Sequence, residues 1–174
     1  NELKSKNINI GLINPPYSQK DVNELDFVEN LLDILSVGGT GVVVVPMSCA
    51  IGTKFKDIRE RLMKKNTLQA VFSMPDDIFY PTGTNVCVMV WTAHTPHDSM
   101  QETFFGYCKN DGFVKRKKLG RIDAFGRWES IEKEWLRLYR NKDVIDGMSA
   151  RHCIGYKDEW LCEAYMRTDY SKLT

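Results

Sequence analysis

The sequence predicts an α/β protein: a doubly wound sheet with an antiparallel hairpin at one side. Three observations carry that expectation. Short apolar, β-branched runs alternate with amphipathic stretches as far as residue 75, the pattern of parallel strands joined by right-handed crossovers. From residue 84 the apolar runs follow one another with no helix between them. The chain of 174 residues is long enough for one domain with its own core.

Residues 8–13 are short, apolar and Ile-rich, and predict a buried strand. In "ELDFVENLLDILSVGG", Leu25, Val28, Leu31, Leu32 and Leu35 recur at helical spacing, with Gly38-Gly39 as the stop. "GVVVVP" (41–46) predicts a strand buried on both faces. "KFKDIRERLMKKN" (54–66) predicts a charged helix with Phe55, Ile58, Leu62 and Met63 inward. Strands are expected at 68–75, 84–93 and 102–108, the last two forming the hairpin edge. The texture changes near 109. Residues 1–108 are therefore set apart from a basic loop and helical extension at 109–174. In that extension Trp128, Ile131, Trp135 and Leu138 form one helix-packing stripe, and a further short helix is expected after Tyr156.

Composition excludes more than it identifies. Apolar residues are 43% and charged residues 27%, the balance of an ordinary globular domain. No apolar run approaches the ~20 residues of a membrane span. Net charge is +1, so any nucleic-acid site must be a local basic patch. The five cysteines form no CxxC pair and are expected as reduced thiols in the cytoplasm. His94 and His97 sit in a loop without further ligands nearby, so no metal site is expected. The chain starts at Asn, not Met, and is expected to be part of a longer protein.

The informative stretch is "INIGLINPPYS", residues 8–18. Ligands of open α/β sheets bind beyond the carboxyl ends of the strands, where Asn14-Pro15-Pro16-Tyr17 falls. Asn14 offers an amide oxygen, Pro15 a carbonyl of fixed geometry, Tyr17 a ring face. These groups suit a planar substrate with an amino group. Two acceptors take its two hydrogens, the lone pair is left aimed at an electrophile, and positioning supplies most of the rate.

"INPPY" resembles the catalytic motif of amino-methyltransferases that use S-adenosylmethionine. With "FVENLLDILSVGGTGVVVVP", "IRERLMKKNTLQAVFSMPDDIFYPTGTNVCVMVW" and "NDGF", the chain over residues 8–125 resembles modification subunits of type I restriction–modification systems, which are adenine-specific DNA methyltransferases. The resemblance implies a Rossmann-like methyltransferase fold, here the C-terminal half of its sheet. It implies that Asn14 and the Pro15 carbonyl hold the adenine N6 amine and that Asn14 also borders the cofactor. Pro16 would stiffen the loop, and Tyr17 would stack on a flipped base. Phe79 matches an aromatic that packs on the target base, and Thr84 closes a "PTGT" turn lining the cleft. Specificity and restriction subunits are the implied protein partners.

The glycine-rich cofactor loop and the acidic residue that precede the motif in the family do not occur in this sequence. Weak or no S-adenosylmethionine binding by this chain alone is expected. "GGTG" (38–41) reads as a helix end. Lys115, Arg116, Lys117 and Lys118, followed by Arg121, form the densest basic run and are candidates for DNA phosphates. The strand at 8–13 is expected to expose an apolar edge open to pairing with a second copy. Asn-Pro-Pro-Tyr also fits protein-glutamine or RNA methyltransferases, or a non-catalytic interaction module.

Overall fold

The computed structural model describes residues 7–20 and 22–172. Its strands are β1 (Ile10–Ile13), β2 (Thr40–Pro46), β3 (Thr67–Ser73), β4 (Val86–Thr92), β5 (Glu102–Tyr107), β6 (Val114–Arg116), β7 (Gly120–Ile122) and β8 (Ser149–Cys153). Its helices are α1 (Glu24–Ile34), α2 (Ser48–Ile51), α3 (Lys56–Lys65) and α4 (Trp128–Asn141). Six strands form one mixed sheet in the order β1-β2-β4-β3-β5-β8, and β6 and β7 form a separate ribbon.

Helix α1 begins at a reciprocal cap. Asn23 Oδ1 accepts from Asp26 N at 3.2 Å, and Asp26 Oδ2 accepts from Asn23 N at 3.1 Å. The helix lies close on β1 and β2 because Gly11 and Gly41 lack side chains. A Cβ at either would stand 2.7 Å from the Leu31 or Leu32 methyl above it. Helix α3 is tied to α1 by Arg61, 3.0 Å from Glu29, and by Lys65, 3.3 Å from the same carboxylate. Consecutive β3 residues point to opposite faces. Val71 joins the main core with α1 and α3, while Ala70 and Phe72 meet Leu138 and Tyr139 of α4. The segment after β8 closes the main core, with the buried Trp160 edge-on to Trp91 at 5.7 Å.

The α/β class holds, but the strand pairing differs from the expected hairpin edge. β4 runs antiparallel between β2 and β3, in the sheet interior, and β5 pairs parallel with β3. The apolar run "VCVMVWT" has neighbours on both sides there, and the antiparallel edge strand is β8. β1 is an edge strand and is not buried: Ile10 is 75% exposed and Leu12 74%. β2 buries one face fully and the other only in part. Helix α1 ends at Ile34 with Leu35 as its C-cap, and Gly38 (φ +77°) shapes the following turn instead of capping the helix. The segment after Tyr156 forms 3₁₀ turns at Cys162–Ala164 and Tyr170–Lys172, not an α-helix.

Candidate active site

The carboxyl end of β1 runs straight into Asn14, Pro15, Pro16 and Tyr17. The turn is held from within and from α1. Pro15 is buried. Ser18 sits in the left-handed region (φ +59°), and its N–H donates to Glu24 Oε1 at 2.9 Å. Glu24 is buried in the first turn of α1, where the helix dipole favours a carboxylate. The Cys49 thiol donates to Glu24 Oε2 at 3.9 Å. Burial, reinforced by Glu24, pushes that thiol up to about 12, so it stays protonated.

The Tyr17 hydroxyl donates to Asn14 Oδ1 at 2.6 Å, with the Val44 carbonyl 3.3 Å away as a second acceptor. Burial, with smaller contributions from Cys87, Cys49 and Glu24, raises the phenol to about 12. Tyr17 is therefore a neutral donor at any ordinary pH. The acceptor that the sequence marks for an incoming amine is here taken by the neighbouring ring's own hydroxyl.

The facing wall is the loop between β3 and β4. Phe79 stands edge-on to Tyr17, ring centroids 6.2 Å apart at 74°. Asn14, Pro16, Tyr17, Phe79, Tyr80 and Thr84 border a cleft of about 500 Å³. A second recess of about 370 Å³ lies on the other side of Tyr17 and is lined by Glu24, Lys54 and, again, Thr84. Five of the sequence-marked residues, Asn14, Pro15, Pro16, Tyr17 and Phe79, thus meet around one cleft, with Thr84 at its border.

The basic run lies on the β6–β7 ribbon. Lys115 lies against the loop that bears Phe79: its Nζ is 3.3 Å from Asp77 and 5.2 Å from the Tyr80 ring. Arg116, Lys117 and Lys118 are exposed and form no ion pair among the described residues. Arg121 is not a free cation, since it pairs with Asp77 and Asp111. Glu24, Asp77 and Tyr80 escaped the sequence reading. "PDDIFY" carried a signal in its paired aspartates, but their partners lie far along the chain.

The groups at the cleft fit an amine and a flat ring. Among the described residues no strand pairs with the outer side of β1. Among the described residues no group of three or more His, Cys, Asp or Glu is placed to hold a metal. His94 instead packs structurally, its Nε2 2.9 Å from the Leu35 carbonyl.

Residues 3–146 match the model of the N-6 DNA Methylase family. The chain is 31% identical over 172 residues to the type II restriction enzyme and methyltransferase RM.BcgI of Heyndrickxia coagulans, covering 93% of this chain and 27% of that protein. It is 34% identical over 117 residues to the type I restriction enzyme EcoKI methylase subunit of Escherichia coli, covering 67% and 21%. The chain thus spans about a quarter of the length of these curated relatives. A solved type I restriction–modification methyltransferase subunit from Streptococcus thermophilus shares the fold, with a TM-score of 0.70 at 18% identity over 92% of this chain and 38% of that one. The chain belongs to the N-6 DNA methylase family.

Proposed function

We propose that this chain carries the amine-holding part of an adenine-N6 DNA methyltransferase of the restriction–modification kind, within a longer protein. The observation that carries the reading is the convergence of Asn14, the Pro15–Tyr17 turn and Phe79 on one cleft at the carboxyl end of β1. Asn14 Oδ1 and the Pro15 carbonyl accept the two hydrogens of the exocyclic amine. Their partial negative charges then stabilise the positive charge that grows on nitrogen as it is methylated. Tyr17 and Phe79 supply ring faces for a base taken out of the duplex. For this the Tyr17 hydroxyl gives up its bond to Asn14, and the aromatic ring turns from donor to stacking partner.

S-adenosylmethionine is the methyl source we assign to the longer protein, with Asn14 at the border of its pocket. The residues of this chain do not build that pocket alone. Isothermal calorimetry on the isolated chain is expected to show no micromolar affinity for it. Lys115, Arg116, Lys117 and Lys118 are proposed as phosphate contacts. We further propose specificity and restriction subunits as partners and the cytoplasm as the location. No described helix is long and apolar enough to cross a membrane. Pairing of two copies through β1, with Ile10 and Leu12 outward, is part of the same proposal.

The test uses the full-length protein with labelled S-adenosylmethionine and adenine-containing duplex DNA, RNA and protein side by side. Label in DNA as N6-methyladenine is expected. Label confined to RNA or to protein glutamine would replace this reading with one of those substrate classes.

A further inference from the structure

The loop that carries Phe79 contains turns but no helix or strand over residues 74–85. Its two ends are tied by backbone bonds, Met74 N to Val86 O at 3.2 Å and Met47 N to Asn85 O at 2.9 Å, while around Phe79 the bonds are short-range, Tyr80 N to Asp77 O and Thr82 N to Phe79 O, both 2.9 Å. Such a loop needs outside support to hold an aromatic ring in one place. The support comes from two adjacent carboxylates at its start. Lys109 Nζ lies 2.6 Å from Asp76 Oδ1. Arg121 Nε lies 2.9 Å from Asp77 Oδ1, a charge contact without hydrogen-bond alignment, and Arg121 Nη2 donates to both Asp111 oxygens, at 2.9 and 2.8 Å. The Arg121 side chain is 13% exposed and that of Asp111 10%. The guanidinium also faces the Phe113 ring at 5.3 Å.

An exposed ion pair holds little. Arg121 is different: two bonds from Nη2 to Asp111 and the Phe113 ring fix the direction of a largely buried guanidinium, which brings its charge to Asp77. We infer that Arg121 is a positioning residue: anchored on Asp111 beside the β6–β7 ribbon, it grips Asp77 and so sets Phe79 against Tyr17. The basic stretch thereby has two parts. Arg116 to Lys118 face solvent, whereas Arg121 faces inward and orders the wall of the cleft. This inference rests on the cleft being the target-base pocket. It goes further in naming the group that shapes it.

The experiment compares full-length wild type, Arg121→Ala, Arg121→Lys and Asp77→Asn by hydrogen exchange and by DNA methylation. Asp77→Asn leaves Arg121 and Asp111 paired, so it keeps a fold even where Arg121→Ala loses one. Exchange over residues 76–84 is expected to quicken in Arg121→Ala and Asp77→Asn, with β2 and β4 unchanged. Methylation is expected to fall by about tenfold to 100-fold in Arg121→Ala, the size of a roughly 1 Å misplacement, and to recover in part in Arg121→Lys. In Phe79→Ala, adding Arg121→Ala is expected to cost nothing more, because Arg121 acts through Phe79. Unchanged exchange over 76–84 in Asp77→Asn, or losses that multiply in the double variant, would overturn the inference. A wild-type protein that methylates no DNA sinks the function proposed above, while the exchange data still decide whether Arg121 holds the loop.

Discussion

The two walls of the cleft are built in opposite ways. The Asn14–Tyr17 wall is held by short-range means: fixed proline torsions, a left-handed Ser18 and a carboxylate six residues on. The Phe79 wall is a run of local turns that is tied to the fold by cations from the segment after β5. The first wall presents the atoms that would touch the amine, and covalent geometry fixes them before any ligand arrives. The second presents a ring, and its placement depends on charge pairs between distant stretches of chain. A site can thus combine one wall set by local sequence with one set by the completed fold.

Substitutions at three positions in the full-length protein sharpen this contrast. The largest effect belongs to the remote-held wall itself. Phe79→Ala removes the facing ring and is expected to lower methylation by about tenfold or more, the value of one base–aromatic stack. Steady-state assays at varied DNA concentration check it. The Tyr17→Phe change has a smaller effect and separates the two roles of Tyr17. Tyr17→Phe loses a hydroxyl bond worth about 1 kcal/mol but keeps the ring, so activity is expected to stay within about fivefold. Tyr17→Ala is expected to lose about tenfold or more, like Phe79→Ala. Equal losses in the two Tyr17 variants would make the hydroxyl, not the ring, the working group.

The smallest effect concerns the footing of the local wall. Cys49 is buried beneath Glu24, and its pKa is raised to about 12. The thiolate is the reactive form, so at pH 8, well below that value, the residue is neutral and inert. Rising pH would free it only as it approaches the raised value. Cys153 is the exposed thiol of the five. Ellman's reagent at pH 8 is expected to modify Cys153 fast and Cys49 only on unfolding. Fast loss of Cys49 would show that the Asn14–Ser18 turn opens. Cys49→Ser, a small change beneath the same carboxylate, is expected to alter activity little.

This contrast also explains what the sequence disclosed. The Asn-Pro-Pro-Tyr turn, the α1 stripe of Leu25, Val28 and Leu32, and the α3 helix were legible because each rests on spacing within a few residues. The strand order was not. Whether β4 pairs with β5 or inserts between β2 and β3 depends on which neighbours take up the hydrogen bonds of its two edges, and an apolar run does not encode that. β8 went unseen because "SARHC" is short and polar, with its outer residues exposed at the sheet edge. Ile10 and Leu12 looked like core for the converse reason: their composition suits a covered face, while in this chain they lie open. Arg121 looked like one more charge in a basic run. Only the ribbon that turns it toward Asp111 and Asp77 gives it a separate task.

The central claim is that Asn14 holds the amine of an adenine in DNA. Its most direct test is nucleoside mass spectrometry on DNA treated with the full-length protein, wild type against Asn14→Ala, at saturating S-adenosylmethionine. The account expects N6-methyladenine from the wild type and at least about 100-fold less from Asn14→Ala, the scale of losing one preorganised electrostatic partner. Equal N6-methyladenine from both proteins would contradict it.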